Sequence, residues 1–249
     1  MELGSVAPGS YALVASAAFL ASLLGGVAGY GSGLLLPPIL VPLVGAEAVV
    51  PIIAISALLT NGSRLVAYRE HFDPARALLI VACALPTCFV GAYGYTLLSG
   101  PRVALLLGLI LLLMVPARRI LVRPGRHLSR PSVAAASVGY GALLGGTTGS
   151  GVILLAILLA AGLNAAAVIA TDAGISLVLG LAKVLVFQLA GDLPASSWMM
   201  ALTIGVAGTP GAFIARRLSS GLSLRSHVWI LEGAVLVGAT LLILQGLGQ

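Results

Sequence analysis

Charged residues are scarce in this sequence. Only 8% of its 249 residues are Asp, Glu, Lys or Arg, whereas a soluble domain carries about 25%. Residues 3–46 and 131–171 contain no charge at all. A water-facing surface cannot be built from such stretches. Together with 59% hydrophobic residues and a mean hydropathy of +1.14, this scarcity excludes a soluble catalytic domain.

Reactive side chains are also few. The chain has 2 Cys and 3 His, and Cys83 and Cys88 have the spacing of neither a metal site nor a disulfide framework. We expect them to be small packing residues. No Walker sequence, paired carboxylates or Ser-His-Asp set is visible. The sequence therefore predicts neither an enzyme nor a direct user of ATP, and it calls for no cofactor and no metal.

The excess of basic residues, which gives a net charge of +6, does not indicate nucleic-acid binding. Arginines cluster in two short linkers, Arg118–Arg130 and Arg216–Arg225. Such clusters fix the orientation of membrane proteins, because they remain on the cytoplasmic side. We therefore expect membrane lipid, and no nucleic acid, as a partner.

The apolar residues fall into segments of helical length. A membrane-spanning helix needs roughly 20 apolar residues, which leaves room for roughly eight to ten segments. The expected segments are Tyr11–Gly29, Gly33–Gly45, Ala48–Val66, Ala77–Leu98, Val103–Ala117, Ser132–Gly146, Gly151–Gly162, Ala165–Leu189, Ser196–Ala215 and Val228–Leu244. The second segment of each half extends only about 20 Å or less, against roughly 30 Å of hydrocarbon. These two segments are predicted to be re-entrant hairpins or discontinuous helices, with their breaks facing a cavity.

The chain contains two similar halves. The stretch 29–36 (GYGSGLLL) is followed 118 residues later by 147–154 (TTGSGVIL), and each precedes one of the short segments. Gly91-Ala92-Tyr93 likewise matches Gly211-Ala212-Phe213. We expect a single transmembrane domain, 1–249, with repeat one at 1–120, a cytoplasmic linker at 121–131 and repeat two at 132–249.

Charge alternation between loops predicts the topology. If the Arg118–Arg130 linker is cytoplasmic, the Arg69–Arg76 and Arg216–Arg225 loops are also inside, and the termini are outside. Only Arg102 is then a basic residue in an outside loop, contrary to the rule that basic loops stay inside. Each repeat then has one hairpin and three full crossings, so the two repeats enter the membrane from opposite sides. The predicted fold is an all-α integral membrane protein made of two inverted repeats, a plan frequent among secondary transporters.

The glycine-rich breaks are the predicted anion site. Ser32 and Ser150 can each cap a helix that begins at the following glycine, and free amides at a helix N-terminus bind anions. The alternative is that the glycines only let helices pack closely; their recurrence before two short segments favours the site. The predicted substrate-binding residues are Gly29, Tyr30, Gly31, Ser32, Gly33, Asn61, Thr147, Thr148, Gly149, Ser150 and Gly151.

Four polar residues lie inside apolar segments. Asp172 is predicted to couple transport to a proton or cation, and the alternative is an acid satisfied by Thr171 or Ser176 or wetted near the cytoplasmic end. Lys183 and Arg64 are expected to snorkel to the surface, which leaves no cation at the breaks. Asn61, a buried amide, must find hydrogen-bond partners.

These motifs resemble the TauE/SafE sulfite exporter family. Both halves show the same order of features. In the first half, GYGSGLLLPPIL is followed by Asn61-Gly62-Ser63, Asp73 and Gly91-Ala92. In the second half, TTGSGVILLAILLAAGL is followed by Thr171-Asp172-Ala173, Asp192 and Gly211-Ala212. The resemblance implies transport of sulfite, organosulfonates or related small anions across a bacterial cytoplasmic (inner) membrane. Tyr30 and Ser32 stand where the family commonly has glycine.

A carrier has to be weighed against other membrane functions. An enzyme would need clustered ionisable groups, and Asp172, Lys183 and Glu232 are scattered. A non-transporting scaffold subunit would need an extramembrane docking surface, and the longest loop is about 121–130. A channel for small anions would conduct without saturation or coupling. We expect a secondary transporter, acting as an exporter of small sulfur-containing oxyanions.

Overall fold

The protein is helical throughout the part that the structure describes. The structure, a computed structural model, describes residues 8–28, 32–121, 127–218 and 224–247. The helices are α1 (Pro8–Ala28), α2 (Ser32–Leu35), α3 (Pro37–Val44), α4 (Ala46–Tyr68), α5 (Pro74–Thr96), α6 (Gly100–Leu121), α7 (Arg130–Gly146), α8 (Gly151–Ala160), α9 (Ala165–Ala190), α10 (Ala195–Leu218) and α11 (Leu224–Leu247). No strand occurs within these ranges, and the all-α prediction is confirmed.

Several of the helices can cross a membrane. Among the described residues, five are long and apolar enough by length and composition. They are Ala46–His71, Pro74–Thr96, Gly100–Ala117, Ala165–Ala190 and Ala195–Arg217. Each coincides with a predicted apolar segment within a few residues, and the chain is a multi-pass membrane protein.

The first short segment is more broken than expected. The sequence predicts one piece over Gly33–Gly45, but the structure divides it into α2 and α3 at Leu36. Two consecutive prolines, Pro37 and Pro38, occupy the first turn of α3. Proline fits the start of a helix, where its missing N–H loses no hydrogen bond. Two consecutive prolines therefore interrupt the helical hydrogen bonds, although Leu36 itself keeps helical backbone (φ −75°, ψ −35°).

The second short segment turns back to the side from which it came. The Leu128 amide, just before α7, donates to the carbonyl of Ala160 at the end of α8 (2.8 Å). The Arg76 guanidinium donates to the next carbonyl, that of Ala161 (3.0 Å). Since α7 begins where α8 ends, the two helices form a hairpin, the geometry that a re-entrant segment requires.

Loop contacts define two ends of the helical bundle. At one end, which we call the basic face, the Asp73 amide donates to Thr171 Oγ1 (3.1 Å), and Arg216 pairs with Glu70 (3.4 Å). At the opposite face, the Tyr95 hydroxyl donates to the carbonyls of Ala46 and Glu47 (3.1 Å each). Therefore α4 and α10 end at the basic face, whereas α5 and α9 begin there.

Glycines bring the helices of the two halves into close contact. A Cβ on Gly141 of α7 would lie 2.1 Å from the Ala84 carbonyl oxygen of α5. On the other side of the bundle, a Cβ on Gly211 of α10 would lie 2.8 Å from the Leu23 nitrogen of α1. Gly211 therefore permits close approach of the two helices, as small residues do in membranes.

The helix pairings exchange corresponding elements of the two halves. In the two halves α1 corresponds to α7, α4 to α9 and α5 to α10. Helix α1 packs on α10, and the corresponding pair, α7 and α5, is also in contact. Helix α4 packs on α10, and the corresponding pair, α9 and α5, is again in contact. The pairs α4–α9 and α6–α11 each join a helix to its own counterpart. A two-fold relation between the halves would produce these pairings. The repeat boundaries and the inverted topology stay predictions, and the pairings support them.

Candidate functional site

The second glycine-rich break lies at the tip of the α7–α8 hairpin. Helix α7 ends at Gly146, residues 147–150 separate it from α8, and α8 begins at Gly151 as expected. Gly149 has φ +81°, a left-handed conformation that favours glycine. The break therefore requires a glycine at position 149 for its backbone path.

The two breaks meet inside the protein. A Cβ on Gly33 would lie 2.7 Å from the Gly149 nitrogen, and a Cβ on Gly149 would lie 2.4 Å from Leu34 Cδ2. The backbones at the two positions thus approach as closely as glycine allows. Of the other residues predicted at the first break, Gly29, Tyr30 and Gly31 lie outside the described residues. The same holds for the side chain of Ser32, the first residue of α2.

The expectation that Ser150 caps α8 with its side chain is wrong. Ser150 occupies the N-cap position but makes no capping hydrogen bond, and its φ of −66° and ψ of −7° are helical. Capping residues normally take extended backbone, which directs the side chain to the free amides. The Ser150 hydroxyl is consequently not used by its own helix.

Two hydroxyls at this tip are buried without a partner. Thr148 Oγ1 and Ser150 Oγ make no hydrogen bond within the described structure, and their residues are 4% and 1% exposed. Thr147 differs, because its hydroxyl donates to the Thr148 carbonyl (3.2 Å). A buried hydroxyl without a partner is costly. Thr148 and Ser150 therefore have hydrogen-bonding capacity available to a ligand.

Lys183 does not snorkel, contrary to the sequence prediction. It is 4% exposed, and its ammonium donates to the carbonyl of Thr147 (2.8 Å). The lysine reaches the carbonyl that becomes available where α7 stops, so a cation does lie at the break. One signal was present in the sequence: Lys183 follows Asp172 by eleven residues, about three helical turns, and so shares its helix face.

Arg64 also stays inside. Its guanidinium lies 3.7 Å from Asp172 Oδ2 and donates to Asn61 Oδ1, which is the partner that Asn61 was expected to need. Snorkelling is wrong for Arg64 because α9 presents this carboxylate to α4, with which it packs.

The structure contradicts the alternative environments considered for Asp172. The residue is 3% exposed, so it is not wetted. No hydrogen bond from Thr171 or Ser176 satisfies its Oδ1, which has no partner within the described structure. The Thr171 hydroxyl instead accepts from the Asp73 amide. Asp172 is held by the arginine across the helix interface.

The two buried polar groups lie apart. Asp172 and Lys183 are about 16 Å from each other along α9. Tyr140 and Cys88 pack between them, in a buried cluster with Ile175 and Leu179 of α9, and the Cys88 thiol donates to the Leu179 carbonyl (3.8 Å). Cys88 is fully buried and acts as a packing residue, as expected.

Two acids outside the membrane-spanning helices have opposite environments. The Arg76 amide donates to Asp73, which caps α5, and this hydrogen bond lowers the pKa of Asp73 below its ordinary value. At the opposite face, partial burial and the neighbouring Glu47 carboxylate raise the pKa of Asp192. Within the described ranges, no cluster of three His, Cys, Asp or Glu residues could hold a metal ion.

The chain is similar to a known protein family. The model of the family described as "Sulfite exporter TauE/SafE" matches residues 14–242, a range that includes both breaks, Arg64, Asp172 and Lys183. No curated protein and no solved structure matches the chain.

Proposed function

Because the chain belongs to the TauE/SafE sulfite exporter family, a family of membrane transporters of sulfite-type anions and not of enzymes, we propose that it is a secondary transporter. In this proposal it exports small sulfur-containing oxyanions, such as sulfite or organosulfonates. The proposed location is the bacterial cytoplasmic membrane.

The observation that carries the proposal is the second break. Here α8 begins deep within the fold, and two buried hydroxyls, Thr148 Oγ1 and Ser150 Oγ, have no partner in the described structure. Hydroxyls and the amides at a helix N-terminus are donors suited to an oxyanion. We place the substrate at this tip, against the contact between Gly33 and Gly149.

The hairpin geometry supports alternating access. The α7–α8 hairpin opens toward the basic face, because Leu128 contacts Ala160 near the start of α5. Helix α3 leads at Gly45 into α4, which begins at the opposite face beside Tyr95. Two hairpins that open to opposite faces and meet at their tips would form a site that each face reaches in turn.

Asp172 is the proposed coupling residue. It lies one helix interface from Arg64 and about three turns from the break, too far to contact an anion held there. Gain or loss of a proton at this carboxylate would change its attraction to Arg64, and thereby the packing of α4 on α9. Coupling and substrate binding would then reside in separate groups.

The basic face is proposed to be cytoplasmic, since Arg69, Arg76 and Arg216 gather there and basic loops stay inside. A Gly125→Cys variant with Cys83 and Cys88 replaced by alanine tests it. A reagent that cannot cross the membrane should label this cysteine only after the cells are opened. Labelling in intact cells would show that the proposed orientation is wrong.

Flux through the purified protein in liposomes tests the function. The panel is sulfite, thiosulfate, sulfoacetate, taurine and an amino acid, each with and without a pH gradient, and empty liposomes are the control. We expect saturable flux of one or more sulfur oxyanions and none of the amino acid. Absence of flux for every sulfur oxyanion would contradict the proposal, and flux that does not saturate would indicate a channel.

A further inference from the structure

We propose that the Lys183 ammonium is the positive charge that binds the transported anion, and that it makes the site selective for anions over zwitterions. The inference rests on the proposed function and deepens it. It assigns the electrostatic part of binding to one side chain on α9, while the hydroxyls and amides at the hairpin tip supply neutral donors.

The first argument is that Lys183 has no carboxylate. Among the described residues, the ion pairs join Arg64 to Asp172, Arg76 to Asp73 and Arg216 to Glu70; no carboxylate oxygen lies within 4.0 Å of Lys183. Its side chain is nevertheless almost fully buried. A buried charge is costly unless it is paired, so an anion bound beside Lys183 would provide the missing partner.

The second argument is the number of donors at one place. A lysine ammonium has three N–H donors and no acceptor, and the carbonyl of Thr147 uses one of them. The residues next in the chain, Thr148 and Ser150, contribute two unpartnered buried hydroxyls, and α8 begins at Gly151. A cluster of donors with a net positive charge suits a small oxyanion with several acceptor oxygens.

The same geometry disfavours ligands that carry an ammonium group. Such a group near Lys183 would bring two like charges together in a low dielectric, where repulsion is strong. Sulfoacetate and taurine share a sulfonate but differ at the other end, where one has a carboxylate and the other an ammonium. We therefore expect tighter binding of sulfoacetate than of taurine.

Binding to the purified protein in detergent tests the assignment. Titration calorimetry with sulfite, sulfoacetate and taurine would compare wild type with Lys183→Met, which keeps the side-chain length without the charge, and Lys183→Arg, which keeps the charge. We expect Lys183→Met to lose about tenfold to a hundredfold in sulfite affinity, because hydrogen bonds to charged groups are the strong ones. Lys183→Arg should bind sulfite more tightly than Lys183→Met.

Thermal denaturation without ligand separates binding from structure. Replacing an unpaired buried charge by methionine should leave stability unchanged or increase it. A large fall in the melting temperature of Lys183→Met would show that the bond to Thr147 is structural and would contradict the assignment. So would wild-type sulfite affinity in that variant. If the wild type binds none of the anions, the proposed function itself is contradicted; if it binds them and Lys183→Met binds them equally, only the role of Lys183 is.

Discussion

Arg64 and Lys183 are buried cations in corresponding parts of the two halves, but their surroundings differ. Their separation along the chain equals that between Asp73 and Asp192, which lie in the equivalent loops. Arg64 pairs with Asp172 and Asn61, whereas Lys183 has only the Thr147 carbonyl. Arg64 lies near the basic face, at the end of α4, and Lys183 lies at the tip of the second hairpin.

From this difference we infer that the two cations have different roles. A buried cation with its own carboxylate is neutral as a pair and needs no ligand. A buried cation without one leaves a positive site that an anion can complete. On this basis we propose that the α4–α9 interface, with its ion pair, serves coupling, and that the hairpin tip, with its unpaired charge, serves binding. The predictions below on Gly149, Asp172 and Ser150 each test one side of this comparison.

The largest effect is expected from Gly149→Val, which deforms the tip that Lys183 contacts. A Cβ at position 149 would lie 2.4 Å from Leu34 Cδ2, and the backbone has φ +81°, which strains a β-branched residue. Transport should vanish while the protein still inserts and stays monodisperse. The matched control is Gly162→Val, which has φ +88° but no atom within 4 Å of the added Cβ. Wild-type flux in Gly149→Val would show that the tip is not part of the substrate path.

The next effect concerns the paired cation. Asp172→Asn leaves Arg64 buried without its charge partner, which typically costs about 3–5 kcal/mol; we expect the lower end, because the Arg64 side chain is 11% exposed. Thermal denaturation should show the loss, and the double variant Arg64→Met/Asp172→Leu should recover most of it. In protein that remains active, flux should no longer respond to a pH gradient, while sulfite affinity stays close to wild type. An unchanged pH response would leave Asp172 a structural role only.

A smaller effect on stability is expected from two helix caps at the basic face, which should differ in their pH dependence. The Asp73 side chain accepts from the Arg76 amide at the start of α5, and that of Asn164 accepts from the Ala167 amide at the start of α9. Loss of either cap in an alanine variant should cost about 0.5–2 kcal/mol. The pKa of Asp73 is lowered from 3.8 in the folded protein, so its contribution is present above that value and is lost as the pH falls through the folded pKa. Melting curves from pH 7 to 3 should show the Asp73→Ala deficit shrinking below pH 3.8 and the Asn164→Ala deficit persisting. A pH-independent Asp73 deficit would contradict this.

The smallest effect is expected from Ser150→Ala. Its hydroxyl has no partner in the described structure, so its removal should not lower stability, and sulfite binding should weaken by roughly 0.5–1.5 kcal/mol, the net value of one hydrogen bond. Calorimetry measures both quantities. Ser137→Ala is the control, since that buried hydroxyl bonds to the Val133 carbonyl within α7 (2.7 Å) and should not affect affinity. Equal sulfite affinity in wild type and Ser150→Ala would exclude this hydroxyl from the site.

The architecture was largely predictable from the sequence. Helix α9 was expected over Ala165–Leu189 and extends over Ala165–Ala190, because largely apolar runs of this length have few alternatives in a membrane. The start of α8 at Gly151 followed from the Gly-Ser-Gly break. The division at Leu36 was missed, since the loss of two N–H donors at consecutive prolines was not considered.

The roles of the buried cations were not predictable by the same route. A lone Lys or Arg in an apolar helix most often snorkels, and its alternative depends on which helix lies opposite. Arg64 stays inside because α9 brings Asp172 to it, and Lys183 because α7 stops beside it. Both contacts join residues of different helices. Helix pairing, unlike helix position, leaves little trace in a single sequence.

The most direct test of the central claim is the position of the anion. Selenite is a chemical analogue of sulfite whose selenium can be located by anomalous diffraction from crystals grown with it. We predict a single strong peak within hydrogen-bonding reach of the Lys183 ammonium and the hydroxyls of Thr148 and Ser150. A peak beside Arg64 and Asp172, with none at the hairpin tip, would contradict the account.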